Sequence, residues 1–225
     1  MTTVLSKEQT REYIVKRVAQ EFRDGDVVTL GIGMPTLAAN YIPDNIHISI
    51  QAENGIIGCG PKPAEGKEDE HITDAGGNFV TLNAGGCYFD SSLSFIMIRG
   101  GHIDKTVLGA LQVDEQGNLA NYLIPGKFVP GMGGAMDLVV GVKEVIIAME
   151  HNVKDGSPKI LKQCTLPLTA MNAVDLIITE KAVIKVEPDG LHLREISPYF
   201  TLDEVIASTE ANLIIDKDCK ILSNK

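Results

Sequence analysis

Three short stretches hold residue types that could act together on an acyl group. Glu53 lies in Gln51-Ala52-Glu53-Asn54-Gly55, directly after the β-rich run Ile46-His47-Ile48-Ser49-Ile50. A carboxylate on a turn beyond a buried strand stands where open α/β sheets carry their reactive groups. Gly31-Ile32-Gly33-Met34-Pro35 and Gly131-Met132-Gly133-Gly134-Ala135-Met136-Asp137 are glycine-rich turns, whose backbone N–H groups can approach a reacting atom because no Cβ intervenes. A carboxylate nucleophile facing backbone donors suits acyl transfer, with the amides steadying the oxyanion that attack creates. Taken singly, each glycine turn also reads as plain backbone geometry, and a loop glutamate as solvated surface.

Other chemistries have less to stand on. Neither turn completes G-x-G-x-x-G, which would need glycine at Thr36 or Met136, so a dinucleotide fold is disfavoured. No G-x-x-x-x-G-K-[ST] or G-x-S-x-G is present, which argues against P-loop and serine-elbow enzymes. His47, His71, His102, His151 and His192 form no H-x-x-x-H pair, and Cys59, Cys87, Cys164 and Cys219 form no C-x-x-C. No metal site is therefore expected, and the thiols are expected to be reduced and mostly buried. Asp74 with Gly76-Gly77, and Asn83 with Gly85-Gly86, read as turns.

The elements that must position these residues are those of an α/β protein. At 225 residues, 44% hydrophobic and 22% charged, the chain is long enough for one sizeable core, and residues 1–225 read as a single domain. Thirty acidic against twenty basic residues give a formal net charge of −10, which disfavours nucleic acid as a partner. No stretch approaches a membrane span and the opening residues lack a leader pattern, so a cytoplasmic location without membrane contact is expected.

Ser6 and Gln9 make a capping box for an amphipathic helix over residues 7–22, which Gly25 stops. Strand 27–30, the first glycine turn and a helix through Leu37-Ala38-Ala39 follow, Pro35 taking the first turn. Further strands are predicted over 46–50, 95–98, 106–113, 119–123, 145–149 and 176–178, with a hairpin of 183–186 and 191–193 across Pro188-Asp189-Gly190. Thr201 and Glu204 form a second capping box. Residues 59–77, polar and broken by Pro61 and Pro63, read as an exposed loop that is either a lid or a solvated excursion. A mixed, mainly parallel buried sheet flanked by helices fits this pattern.

Together, Gly31-Ile32-Gly33-Met34-Pro35, Gln51-Ala52-Glu53-Asn54-Gly55-Ile56-Ile57-Gly58 and the run from Ile124-Pro125-Gly126-Lys127-Phe128-Val129-Pro130 through Gly131-Met132-Gly133-Gly134-Ala135-Met136-Asp137 to Leu138-Val139 closely resemble the signature stretches of β subunits in the 3-oxoacid CoA-transferase family. Their order and separation agree, and the likeness extends over essentially the whole chain. The resemblance implies a CoA-transferase-type fold and an enzyme moving coenzyme A between acetoacetyl-CoA and acetate or butyrate. Succinyl-CoA:3-oxoacid transfer is the alternative substrate reading. It further implies that Glu53 carries coenzyme A as a transient glutamyl thioester, coenzyme A being substrate rather than a tightly bound cofactor. Gly134, flanked by Gly133 and Ala135, is implied as an oxyanion donor. Gly31, Gly33, Asn54 and Gly55 complete the implied oxyanion or CoA-binding set, with Thr29 as a second donor where relatives often carry asparagine. The implied partner is an α subunit of similar fold, in an α2β2 assembly, with acyl-CoA and short-chain acids as substrates. Two rival readings are a CoA-ester hydrolase using the same Glu53 and a non-catalytic sensor of acyl-CoA or sugar phosphate.

Overall fold

A computed structural model describes residues 5–127 and 131–222. The opening Met1-Thr2-Thr3-Val4 and the Phe128-Val129-Pro130 part of the long glycine-rich run lie outside the described residues.

Helix α1 (Lys7–Ala19) starts at the Ser6 capping box, where the Gln9 amide donates to Ser6 Oγ and the Ser6 amide to Gln9 Oε1. Its Ile14, Val15 and Val18 are buried. Strand β1 (Val27–Leu30), a 3-10 helix (Met34–Tyr41), β2 (Ser49–Ala52), β3 (Ile56–Cys59) and β4 (Leu82–Tyr88) follow. Next come α2 (Ser91–Arg99), β5 (Lys105–Leu108), β6 (Gln112–Asp114), β7 (Leu119–Ala120), α3 (Ala135–Gly141), β8 (Glu144–Ala148) and β9 (Ile160–Leu161). The chain continues through β10 (Leu176–Ile178), β11 (Ala182–Glu187), β12 (Gly190–Ile196), α4 (Leu202–Ala207) and β13 (Leu213–Ile221).

Ten strands form one sheet in the order β13-β12-β11-β10-β8-β5-β1-β2-β3-β4, and β7-β6-β9 form a second. The five central neighbours β10, β8, β5, β1 and β2 are parallel, while β3, β4 and β11 add antiparallel pairs beside them. This is the expected mixed α/β sheet. Its middle strands β5, β8 and β10 are largely buried on both faces, and their apolar residues Val107-Leu108, Val145-Ile146-Ile147-Ala148 and Leu176–Ile178 form short unbroken runs. Along β8, Val145 and Ile147 enter the core shared with α2, α3 and α4, whereas Ile146 and Ala148 enter the core shared with α1.

Several local expectations need correction. Residues 95–98 belong to helix α2, not to a strand: the Asp90 carboxylate caps the helix by accepting from the Leu93 amide, and that N-cap overrides the β-branched and aromatic character of Phe95-Ile96-Met97-Ile98. The helix expected through 37–39 is present, as a 3-10 helix with Pro35 in its first turn. The strand expected over 46–50 is displaced to Ser49–Ala52, so it runs straight into Glu53. The run 106–113 is split into β5 and β6, and 119–123 shortens to Leu119–Ala120. Strands β3, β4, β9 and β13 and helix α3 were not anticipated. Of the four free cysteines only Cys59 is buried and Cys87 is exposed, so the thiols are less sheltered than expected.

Candidate active site

The carboxyl ends of β5, β1 and β2 open onto one cavity of about 1010 Å³. The chain runs from β1 outward to β4 on one side and then returns to β5 on the other, so the direction of winding reverses at β1, the place where open α/β sheets leave a crevice. Gly31 occupies the crevice floor. Its amide donates to Val107 O at 2.8 Å, and a Cβ there would come within 2.9 Å of Leu108 Cδ2, so a side chain would prise β1 from β5 at this level.

Glu53 leaves β2 on a tight turn closed by the Gly55 amide donating to Ala52 O at 3.0 Å. Gly55 has φ +123°, and a Cβ would overlap Phe89 O, so only glycine fits. The turn aims the Glu53 side chain at Gly134, the N-cap of α3; a Cβ on Gly134 would meet Glu53 Oε2 at 2.6 Å. Burial pushes the Glu53 carboxyl above the ordinary carboxylate value, the Gly134 amide pulls it back by hydrogen bonding to the anion, and the charge of Asp137 pushes it up again. Half-buried and partly desolvated beside the Gly134 amide, this carboxylate is poorly solvated for an anion, a condition that suits a nucleophile.

The expected site residues divide into two sets. Thr29, Gly31, Glu53, Gly133, Gly134 and Ala135 line the cavity. Gly33, Asn54 and Gly55 do not: Gly33 turns the chain at φ +96°, Gly55 shapes the Glu53 turn, and exposed Asn54 donates from Nδ2 to Thr73 O at 2.7 Å. Thr29 is buried, and its hydroxyl donates to Gln51 Oε1 at 2.6 Å while Gln51 Nε2 donates to Ser94 Oγ at 2.7 Å. This chain of three buried side chains ties β1, β2 and α2 together, its middle member two residues before Glu53.

Sequence reasoning missed the other wall of the cavity. Lys62 and residues 74–80 of the long polar excursion line it, as do Asn121 and Tyr122. A Cβ on Gly76 would lie 3.3 Å from Ile32 Cγ1, so the excursion touches the first glycine turn. Its polarity pointed to solvent exposure, and the one local sign of order was the stiff Pro61-Lys62-Pro63. Cys59 also lines the cavity, but burial pushes its thiol up to about 11, leaving it protonated and a poor rival nucleophile.

Fold and site together define an α/β protein with a carboxylate held against a backbone amide in an open crevice beyond its parallel strands. The chain belongs to the coenzyme A transferase family: residues 11–208 match the family described as Coenzyme A transferase. It is 53% identical over 208 residues to the β subunit of the acetate CoA-transferase of Escherichia coli strain K12, covering 92% of this chain and 95% of that one. It is 49% identical over 209 residues to the corresponding subunit of a probable succinyl-CoA:3-ketoacid coenzyme A transferase of Bacillus subtilis, covering 93% and 97%. The human mitochondrial succinyl-CoA:3-ketoacid coenzyme A transferase 2 is 50% identical over 205 residues, and the match spans 90% of this chain but 40% of that one. Among solved structures, an acyl-CoA transferase of Escherichia coli O157:H7 superposes with a TM-score of 0.75 at 22% identity, covering 98% of this chain and 44% of that chain. The glutaconate coenzyme A-transferase of Acidaminococcus fermentans gives 0.70 at 17% identity, covering 99% and 90%. The chain is a CoA-transferase, and over nearly its whole length it aligns with the β-type subunits of enzymes named for acetate and for 3-ketoacids.

Proposed function

We propose that this chain is the β subunit of a cytoplasmic α2β2 enzyme that moves coenzyme A between acetoacetyl-CoA and acetate or butyrate, with Glu53 as the nucleophile. A Glu53 oxygen attacks the thioester carbonyl, the C–S bond breaks, and CoA thiolate leaves a mixed anhydride on the glutamate. The thiolate then attacks the glutamyl carbonyl, releasing the first acid and leaving coenzyme A on Glu53 as a thioester. A second acid runs the steps in reverse, and its acyl group leaves as the new acyl-CoA while Glu53 regains its charge.

One thioester is traded for another, and no step needs a strong base, because nucleophile and acceptor are already carboxylates. Catalysis therefore rests on positioning and on oxyanion donors, each worth about 2.7–4 kcal/mol at comparable sites. The observation that carries this reading is the approach of the Glu53 carboxylate to the Gly134 backbone, across a cavity large enough for a reacting acyl group. The names of the bacterial relatives, each one subunit of its enzyme, support an α-type companion, to which we assign further coenzyme-binding surface. Mass spectrometry of the Glu53 peptide, after mixing the assembled enzyme with acetoacetyl-CoA and no acceptor acid, is expected to find coenzyme A on Glu53. An adduct on another residue would overturn the assignment. Consumption of the donor without any acceptor would favour a hydrolase.

A further inference from the structure

Three charged side chains line the Glu53 cavity among the described residues: Glu53, Lys62 and Asp74. Asp74 is committed to its own turn. Its Oδ1 accepts from the Gly76 and Asn78 amides at 2.8 and 2.9 Å, and Asn78 Nδ2 reaches both of its oxygens. Lys62 forms no ion pair among the described residues. Its backbone is nevertheless fixed: Pro61 O accepts from both the amide and the hydroxyl of Thr81, at 3.0 and 2.8 Å, and Gly60 N donates to Thr81 O at 2.7 Å. With proline on each side, φ is locked at both neighbours. Lys62 is thus a lone cation on a stiff mount facing the reacting crevice.

Building on the glutamyl-thioester reading above, we propose that Lys62 binds the carboxylate of the incoming acid. In the resting site the negative Glu53 and Asp74 outweigh the positive Lys62, leaving one net negative charge that repels a second carboxylate. Conversion of Glu53 to a thioester removes its charge and leaves the lining neutral, with Lys62 then free to attract an anion. The acid is therefore admitted after coenzyme A has been loaded, and its acyl group, no longer carrying a carboxylate, leaves as acyl-CoA when Glu53 regains its charge. The phosphates of coenzyme A are the other anion Lys62 could meet, but the pantetheine arm holds them far from the reacting carbonyl, whereas Lys62 shares one cavity with Glu53.

The test uses the assembled enzyme with Lys62→Met, which keeps the length and removes the charge, and Lys62→Arg as the conservative variant. The KM for acetate is expected to rise about three- to fivefold in Lys62→Met, the scale of an exposed ion pair, with the KM for acetoacetyl-CoA unchanged and with recovery in Lys62→Arg. An unaltered acetate KM overturns the inference, and so does a rise confined to acetoacetyl-CoA, which would assign Lys62 to the coenzyme's phosphates. Mass spectrometry on the wild-type enzyme separates the two layers: absence of coenzyme A on Glu53 defeats the thioester reading itself, while an adduct alongside unaltered acetate kinetics in Lys62→Met defeats only the role of Lys62.

Discussion

As the proposed nucleophile, Glu53 serves opposed demands. To attack it must be ionised, yet burial and Asp137 favour its protonated form, and the Gly134 amide is the contact that offsets them. The same amide is positioned to serve the oxyanion once attack begins, so its removal should be felt in turnover. Gly134 sits at φ −81° and ψ 3°, a conformation alanine tolerates, so Gly134→Ala leaves the backbone unstrained while its Cβ displaces the carboxylate. Because the amide stays and the nucleophile is misplaced, a fall in kcat of about 10²-fold is expected, with the thermal midpoint of the assembled enzyme unchanged; steady-state kinetics beside a melting curve checks both. Glu53 could be singled out as a carboxylate on a turn after a buried strand, whereas Gly134 was picked out through the family resemblance; the structure sets the two side by side. Lys62 was not, since one charge within a polar excursion carries no periodic signal. Nor could the sequence reveal that the Thr29 hydroxyl is spoken for by Gln51, which depends on the parallel register of β1 with β2.

At the scale of elements, the central strands and both capping boxes were readable from propensity and period, whereas α2 was not. Phe95-Ile96-Met97-Ile98 matches a buried strand in composition, and only the cap at Asp90, several residues earlier, tips the segment into a helix. Strand β13 was overlooked because it pairs in parallel with β12 and so lacks a hairpin turn to announce it. Its attachment has a measurable pH dependence. His192 of β12 bonds through Nδ1 to Asp216 of β13 at 2.8 Å and through Nε2 to Asp189 at 2.9 Å, with Glu187 and Arg194 completing the cluster. Hydrogen bonds to Asp216 and then Asp189 raise the imidazole above its ordinary value of 6.5. A raised histidine stabilises the fold fully below 6.5, and that contribution is lost as pH climbs through the higher folded value. Denaturant unfolding between pH 6 and 9 is therefore expected to show declining stability that His192→Gln flattens; an equally steep decline in the variant would exclude this cluster as the cause.

For the molecule as a whole, the two-sided sheet supplies a rigid crevice but little surface dedicated to the distant parts of a large substrate. The charged lining of the cavity is sparse, and the chain carries an excess of acid, so under the proposed function the coenzyme's remote groups would bind largely to a companion subunit. Binding energy gained there is used at the reacting carbonyl rather than in tight ground-state association. An acetoacetyl thioester of a truncated thiol, lacking the nucleotide, should accordingly show kcat/KM lower by at least about 10²-fold in the assembled enzyme; parity with the full coenzyme would show that the remote groups contribute nothing to the barrier.

The reversal of winding at β1 has one more consequence, in time rather than space. Glu53 emerges early in synthesis, but the amide that must face it arrives only after the chain has doubled back through β5 and reached the start of α3. Under the proposed function, a growing polypeptide therefore carries a glutamate not yet set against its amide, and the pair is assembled only on completion of the fold.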